Sequence, residues 1–316
     1  MKNPQISVIM SVYNGAEYLQ ECIQSILNQS FRNFEFIVIN DCSTDTSPTI
    51  INECARKDSR IVIIDNKVNI GLTKSLNVGL KIAKGKYIAR IDSDDIALPE
   101  RLQTQYDFLE KNKDLFLVGS GSYTIDTNGN IRTRIKVLTD TEDIKNKLAI
   151  QNCISHPTIM FRNEGFVYRE KFVYSQDYDF YLTLLSNNKK ISNIFEPLIK
   201  YRINPNAISW SKKSKQEYFA LKANELYHQR RRYGKDEYDT FDSDAILSMD
   251  VENATDKLTL KTEIEARFKL NEFKEVRVFC GKYFGNYGFF NSVTIYYILS
   301  FTGENFINAL RKIIYR

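Results

Sequence analysis

Three carboxylates crowd into the four residues Asp92-Ser93-Asp94-Asp95, directly after the apolar segment that begins at Lys86. If that segment is a strand that persists, alternation places Asp92 and Asp94 on one face and Asp95 on the other. Two carboxylates this close resist joint ionisation, and a divalent cation between or beside them relieves the repulsion. Carboxylate oxygens completed by phosphate oxygens suit magnesium or manganese. A nucleotide sugar brings such a diphosphate, and the charge that develops on a departing nucleotide is then offset where it appears. The plainer reading, acids that solubilise a turn or cap the next helix, is weakened by their place at the carboxyl end of a strand.

Such residues need elements to carry them. Ile6 to Val12 is an apolar, β-rich run, and Leu19, Cys22, Ile23, Ile26 and Leu27 then recur at helical spacing. The alternation repeats with a strand from Phe34, a helix from Ser47, a strand from Arg60, a helix from Thr73 to Ala83 and a strand from Lys86. This order predicts an α/β domain: a Rossmann-like, mostly parallel sheet flanked by helices. Ligands bind beyond the carboxyl ends of such strands, where the loops here read YNG, NDCSTD and DSDD. Pro99 fits the first turn of a helix through Asn112, LFLVGSGSYTI reads as strand, and Asn128-Gly129 marks a hairpin turn. A strand-like HPTIMF, a helix DYDFYLTLLS and a strand pair ending in KYRIN complete the domain, which is expected to span residues 1–210 and close near Trp210. Residues 211–316 read as a mainly helical C-terminal extension.

Composition removes several classes. The formal charge of +5 over 316 residues is not gathered into the Lys/Arg runs of a nucleic-acid arm. Five cysteines form no CxxC pair, which fits a reducing compartment, and two histidines exclude a histidine-rich metal site. No GxSxG, GxGxxG or GxxxxGK[ST] is present, so phosphate must be held by metal and side chains. The N-terminus does not read as a signal peptide, and the apolar run from Tyr287 to Phe301 falls short of the roughly 20 residues a spanning helix requires.

The segments SVIMSVYNGAEYLQECIQSILNQSFRNFEFIVINDCSTD, NIGLTKSLNVGLKIAKGKYIARIDSDD, HPTIMF and SQDYDFYLTL, in that order, resemble the family-2 inverting glycosyltransferases of the GT-A fold, of the bacterial polysaccharide-biosynthesis type. The resemblance spans about the first two thirds of the chain. It implies a donor site in which Val12 and Tyr13, with Asn14 beside them, line a uracil pocket and Asp41 pairs with the base or ribose. Asn69 and Gly71 match an Asn-x-Gly near the nucleotide. Asp92 and Asp94 match the DxD motif, with Asp94 the direct metal ligand and Asp92 a second ligand or a contact to ribose or water. Asp177 aligns with the base that accepts the proton of the acceptor hydroxyl, although an acid there also simply caps a helix; Asp179 is the alternative base or a structural carboxylate. Arg202 is given a phosphate role, and His156 lies beside the acceptor strand. Gln176 stands where Glu is frequent and Asn204 where His is, which leaves room for a second reading, a catalytically silent nucleotide-sugar-binding module of a glycan assembly complex. A nucleotidyltransferase is disfavoured because no basic glycine-rich loop follows the first strand.

The implied cofactors are Mn2+ or Mg2+ and a nucleotide-sugar donor, a UDP-hexose or UDP-N-acetylhexosamine. The implied acceptor is a glycan or lipid-linked oligosaccharide of a cell-surface polysaccharide such as capsule or lipopolysaccharide. The terminal INALRKIIYR sets Ile307, Leu310, Ile313 and Ile314 at helical spacing beside Arg311, Lys312 and Arg316. A basic amphipathic helix of this kind can lie in a membrane interface, or pack on its own domain. The first reading gives a cytoplasmic protein at the inner face of the plasma membrane.

Overall fold

A computed structural model describes residues 3–203, 213–249, 253–255, 257–269, 271–303 and 306–307. The chain divides into two compact units, residues 1–207 with 223–236 and residues 208–222 with 237–316.

The first unit opens with β1 (Ile6–Val12), α1 (Ala16–Leu27), β2 (Phe34–Asn40), α2 (Ser47–Lys57), β3 (Ile61–Asp65), α3 (Leu72–Ile82) and β4 (Tyr87–Arg90). Apolar residues on both faces of β1 and β2 are buried throughout, as a parallel sheet covered on both sides demands. Leu19, Cys22, Ile23, Ile26 and Leu27 form the buried stripe of α1. On α3, Gly79 lets the helix press onto the sheet, because a Cβ there would lie 2.8 Å from Ile9 Cγ2 and 2.9 Å from Ile39 Cδ1.

The unit continues with β5 (Ile96–Ala97), α4 (Arg101–Lys111), β6 (Leu115–Ile125), β7 (Ile131–Ile135), α5 (Thr141–Leu148), β8 (Met160–Arg162), α6 (Gln176–Ser186) and β9 (Lys190–Arg202). Strand order is β3-β2-β1-β4-β8-β6-β9-β5, with β7 paired to β6. Strands β3, β2, β1 and β4 run parallel, whereas β8 is antiparallel to both β4 and β6. The chain steps outward from β1 to β3 and returns on the other side of β1 to make β4, so the switch point lies between β1 and β4.

Four local expectations are corrected. Strand β4 stops at Arg90, and Asp92–Asp95 is a turn closed by the Asp95 N–H donating to Asp92 O (3.3 Å); strand alternation therefore does not set the directions of these acids. Pro99 precedes the N-cap Glu100 instead of occupying the first turn of α4. HPTIMF splits into a 3-10 turn, His156–Thr158, and the short β8, consistent with Pro157 having no N–H to give a ladder. The expected strand pair ending in KYRIN is one strand, β9, whose register against β6 slips around Pro197.

The second unit contains the first ten residues of α7 (Lys213–Tyr233), together with α8 (Ser243–Ser248), α9 (Lys257–Lys269), α10 (Phe273–Tyr287) and α11 (Thr294–Leu299). Leu260, Ile264, Val276, Cys280, Tyr283 and Val293 are among its core residues. The apolar run from Tyr287 is broken at Gly288, which adopts φ 79°. Among the described residues no helix is long and apolar enough to cross a membrane. Asn204, Trp210 and the tail from residue 308 lie outside the described residues.

Candidate active site

Three loops meet at the carboxyl edge of the parallel strands. Val12 ends β1 buried, and Tyr13 follows, 53% exposed. Asn14 adopts φ 50°, a left-handed conformation that asparagine accepts more readily than most residues. Its N–H donates to Ser43 Oγ (3.1 Å) and its Oδ1 accepts from the Thr44 N–H (2.8 Å), so the β1–α1 loop is tied to the loop after β2. Gly15 brings the same loop to the acidic turn, since a Cβ there would lie 3.0 Å from Ser93 Oγ.

Asp41 follows β2 and is buried. Its N–H donates to Val12 O (2.8 Å). Its carboxylate accepts from Asn66 Nδ2 (2.8 Å), the Ile70 N–H (3.0 Å) and the Gly71 N–H (2.9 Å). Three of a carboxylate's roughly four acceptor positions thus hold the corner Asn69-Ile70-Gly71 at the start of α3. Gly71 there has φ 83°, a region that strains any residue with a side chain, and Asn69 remains exposed. Asp41 is placed as the organiser of this corner.

The acidic turn is clamped from several sides. Arg90 Nη1 donates to Asp92 Oδ2 (2.5 Å) and Nη2 to Asp92 Oδ1, a fork from an arginine that is 3% exposed. Cys22 Sγ reaches Asp92 O at 3.1 Å. Arg202 closes the other side: its N–H donates to Asp95 Oδ1 (2.9 Å) and its Nε to Asp94 O (2.9 Å). Arg202 Nη1 donates to Asp126 O and Thr127 O, both at 3.1 Å, and Nη2 to Glu21 (2.8 Å), with the guanidinium over the Tyr18 ring at 4.1 Å. Buried and so engaged, Arg202 is placed as a tie that holds the turn.

These acids differ in their burdens. Burial, then repulsion from Asp92, raises the Asp94 carboxyl to about 6. Asp95 is completely buried, its Oδ2 has no hydrogen-bond partner, and burial with Asp92 and Asp94 lifts its pKa well above the ordinary value. Asp95 is therefore a structural acid whose burial favours its protonated form, whereas Asp92 is paired with Arg90.

Ser175, the N-cap of α6, adopts φ 52°. Asp177, in the first turn, accepts from Asn152 Nδ2 (2.7 Å). Burial raises its pKa, which strengthens the carboxylate as a base. The charge on Arg90 pulls the other way on Asp177 and on Asp94 alike, so one buried guanidinium lies within electrostatic reach of both carboxylates. Asp179 points elsewhere: fully buried, it accepts from Arg169 Nε (2.8 Å) and Nη2, and Arg169 also pairs with Asp236 (2.6 Å). That engagement removes it as an alternative base. His156 is buried with Nε2 2.7 Å from Tyr168 Oη, and burial, then Arg90, pushes its pKa well below the usual value; it is a neutral, packed imidazole. Gln176 is also buried.

The residues fit a divalent cation shared with substrate. Among the described residues no group of three His, Cys, Asp or Glu could hold a metal alone. Asp92 and Asp94 offer oxygen ligands of the kind magnesium takes in pairs, with phosphate completing the shell, and a cation would offset both the burial and the repulsion from Asp92 that raise the Asp94 carboxyl. Two participants escaped the sequence reading. Arg90 stands two residues before Asp92, a spacing that could have flagged it, while Asn152 carries no local signal.

The model of glycosyl transferase family 2 matches residues 7–173, a span that holds the three rim loops, with Asp177 just beyond. An uncharacterized glycosyltransferase of Methanocaldococcus jannaschii is 41% identical over 231 residues, covering 70% of this chain and 80% of that protein. The O-antigen biosynthesis glycosyltransferase WbnJ of Escherichia coli is 35% identical over 212 residues, covering 63% of this chain and 79% of its own length. The solved structure of S. aureus TarS in complex with UDP-GlcNAc matches with a TM-score of 0.61 at 18% identity, over 94% of this chain and 89% of that one. TarS in complex with UDP gives 0.60 at 20% identity, over 90% and 89%. At such identity the likeness concerns the fold, and the sheet with its flanking helices is of the GT-A type. With a family model covering more than half of its length and a relative this similar across most of both chains, the protein belongs to glycosyl transferase family 2.

Proposed function

We propose that the chain is an inverting hexosyltransferase that moves a sugar from a UDP-sugar to a hydroxyl of a glycan or lipid-linked acceptor in cell-surface polysaccharide synthesis. The observation that carries this reading is the pairing, around the buried Arg90, of a forked Asp92 beside Asp94 with a separate basic carboxylate, Asp177. The UDP and UDP-GlcNAc bound to TarS support a uridine donor, and WbnJ's role in O-antigen biosynthesis supports the polysaccharide setting.

Asp92 and Asp94 would hold Mg2+ or Mn2+, which when bound offsets the charge on the departing diphosphate. Tyr13 offers an exposed ring to the base, and the corner held by Asp41 presents Asn69 and Gly71 beside it. Asp177 takes the proton of the acceptor hydroxyl as its oxygen bonds to the anomeric carbon, while the bond from that carbon to the diphosphate breaks on the opposite face and UDP leaves. One displacement inverts the anomeric configuration. Asn152 keeps the carboxylate oriented for this task, and Arg202 keeps the acidic turn in place. The same reading sets the enzyme at the cytoplasmic face of the plasma membrane, where lipid-linked acceptors would meet nucleotide sugars.

Proton NMR of the sugar released or transferred from UDP-N-acetylglucosamine or UDP-glucose tests the reaction. Transfer to water in place of the acceptor is the reaction followed, so the natural acceptor need not be known. An inverted anomer is expected, with turnover at least about a hundredfold lower in Asp177→Asn and UDP binding retained. Retention of configuration, or an Asp177→Asn enzyme as fast as wild type, overturns the proposal. UDP binding by wild type without turnover of any donor would favour the silent module.

A further inference from the structure

The last two residues of β9, Tyr201 and Arg202, point to opposite sides of the sheet, as alternation along a strand requires. Arg202 turns toward α1, with its guanidinium over the Tyr18 ring (4.1 Å) and Nη2 donating to Glu21 (2.8 Å). Tyr201 therefore turns toward the other face. Arg90 is on that face too, because its chain neighbours Ala89 and Ile91 pack in one core with the residues of α1, while Arg90 lines a narrow seam with Leu76 and Leu80 of α3, Phe161 and Tyr168. The base belongs to the same side. Phe180 packs on Phe161 (5.3 Å) and Tyr168 (4.6 Å), and Asp177 precedes it by about one turn of α6.

Tyr201 also stands beside the acidic turn. Ile96, which follows that turn, pairs with Lys200, and the Arg202 N–H donates to Asp95 Oδ1 (2.9 Å), so both chain neighbours of Tyr201 are anchored there. Burial, then the charges of Asp92, Asp95 and Asp94, raises its pKa, which keeps the phenol protonated and able to donate. The residue is half-buried, and among the described residues its hydroxyl has no hydrogen-bond partner, whereas a tyrosine hydroxyl withdrawn from water ordinarily finds one.

The direction of displacement decides which ligand meets that hydroxyl. The acidic turn holds the diphosphate end of the donor, and the attacking hydroxyl arrives from the side of Asp177, so the anomeric carbon lies between them. The transferred hexose thus occupies the face that carries Tyr201, Arg90 and Asp177. A pyranose has apolar C–H faces and a rim of hydroxyls, and tyrosine matches both with an apolar ring and one polar tip. A diphosphate is served better by a cation and by charged donors.

We infer that Tyr201 contacts the donor sugar, its hydroxyl donating to an oxygen substituent of the hexose being transferred. This deepens the transfer reading above and rests on its placing of the sugar between Asp94 and Asp177. Isothermal titration calorimetry in Mn2+, with UDP, UDP-N-acetylglucosamine and UDP-glucose as probes on wild type and Tyr201→Phe, tests it. Tyr201→Phe keeps the wild-type melting temperature and binds UDP within about twofold of wild type. It binds the UDP-sugar that wild type prefers at least about fivefold more weakly and releases its sugar at least about fivefold more slowly. Losses of equal size for UDP and for the UDP-sugar overturn the inference, because they assign the hydroxyl to the diphosphate or to the fold. Unchanged affinity of Tyr201→Phe for the UDP-sugar overturns it as well, as does failure of wild type to bind either UDP-sugar. Selective loss of UDP-sugar binding in Tyr201→Phe, from a wild type that turns over no donor, supports the contact and counts against the transfer chemistry alone.

Discussion

Asp177 and Asp179 sit two residues apart on one helix and do opposite work. Asp179 is sealed against Arg169, and removing one partner of a buried ion pair strands the other charge. Asp179→Ala is therefore expected to lower the free energy of unfolding by about 3–5 kcal/mol, measured by urea titration. Burial raises the pKa of Asp177, so its ionised form is a burden on the fold, and Asp177→Asn should leave stability within about 1 kcal/mol of wild type, or above it, while removing turnover. Equal destabilisation by the two changes would contradict this division of roles. Asp94 makes the same trade visible through pH. Its folded pKa, about 6, lies above the ordinary 3.8, so the folded state binds the proton more tightly than the unfolded one. That stabilisation is complete below the unfolded value and is lost as pH rises through about 6. In chelator, thermal melts of wild type should therefore decline from about pH 4 to above 6 more steeply than those of Asp94→Asn; parallel profiles would contradict the assignment.

The elements that deliver these residues owe their places to packing. α3 lies close on β1 and β2 because Gly79 has no side chain between it and Ile9 and Ile39. Gly79→Val should cost at least about 1–3 kcal/mol in chemical denaturation; an unchanged midpoint would mean that α3 is free to shift. This half of the fold was legible in the sequence because period and burial coincide, as in the stripe of α1 from Leu19 to Leu27 and the unbroken apolar runs of β1 and β2. The acidic rim was legible in its residue types and not in its geometry. Alternation assumed a strand through Asp95, but the chain turns at Asp92 once Arg90 takes its carboxylate and Arg202 draws in Asp95. Long-range ties of this kind, over 107 residues for Arg202 and Asp95, leave no local pattern. The same is true of the pairing of β5 with β9 and of the Asn152 contact to Asp177. Tyr13, Asn14, Asn69 and Gly71 fell where the order of strand and helix put them, at loops leaving the sheet, whereas the engagement of Asp41 with the Ile70 and Gly71 amides arises only in the folded chain.

For the molecule as a whole, the matched family span and the acidic rim fall in the first unit, while the second has a helical core of its own. The rim has charge to spare for a cation but, among the described residues, no complete set of protein ligands, so donor and metal should bind together. Isothermal titration calorimetry of UDP, with Mn2+ or with chelator, on wild type and on Asp94→Asn puts this most directly. Tight binding by wild type is expected only with Mn2+, weakened at least about tenfold in chelator and equally in Asp94→Asn. Binding of UDP with the same affinity in chelator, or with Mn2+ to Asp94→Asn as strongly as to wild type, would contradict it.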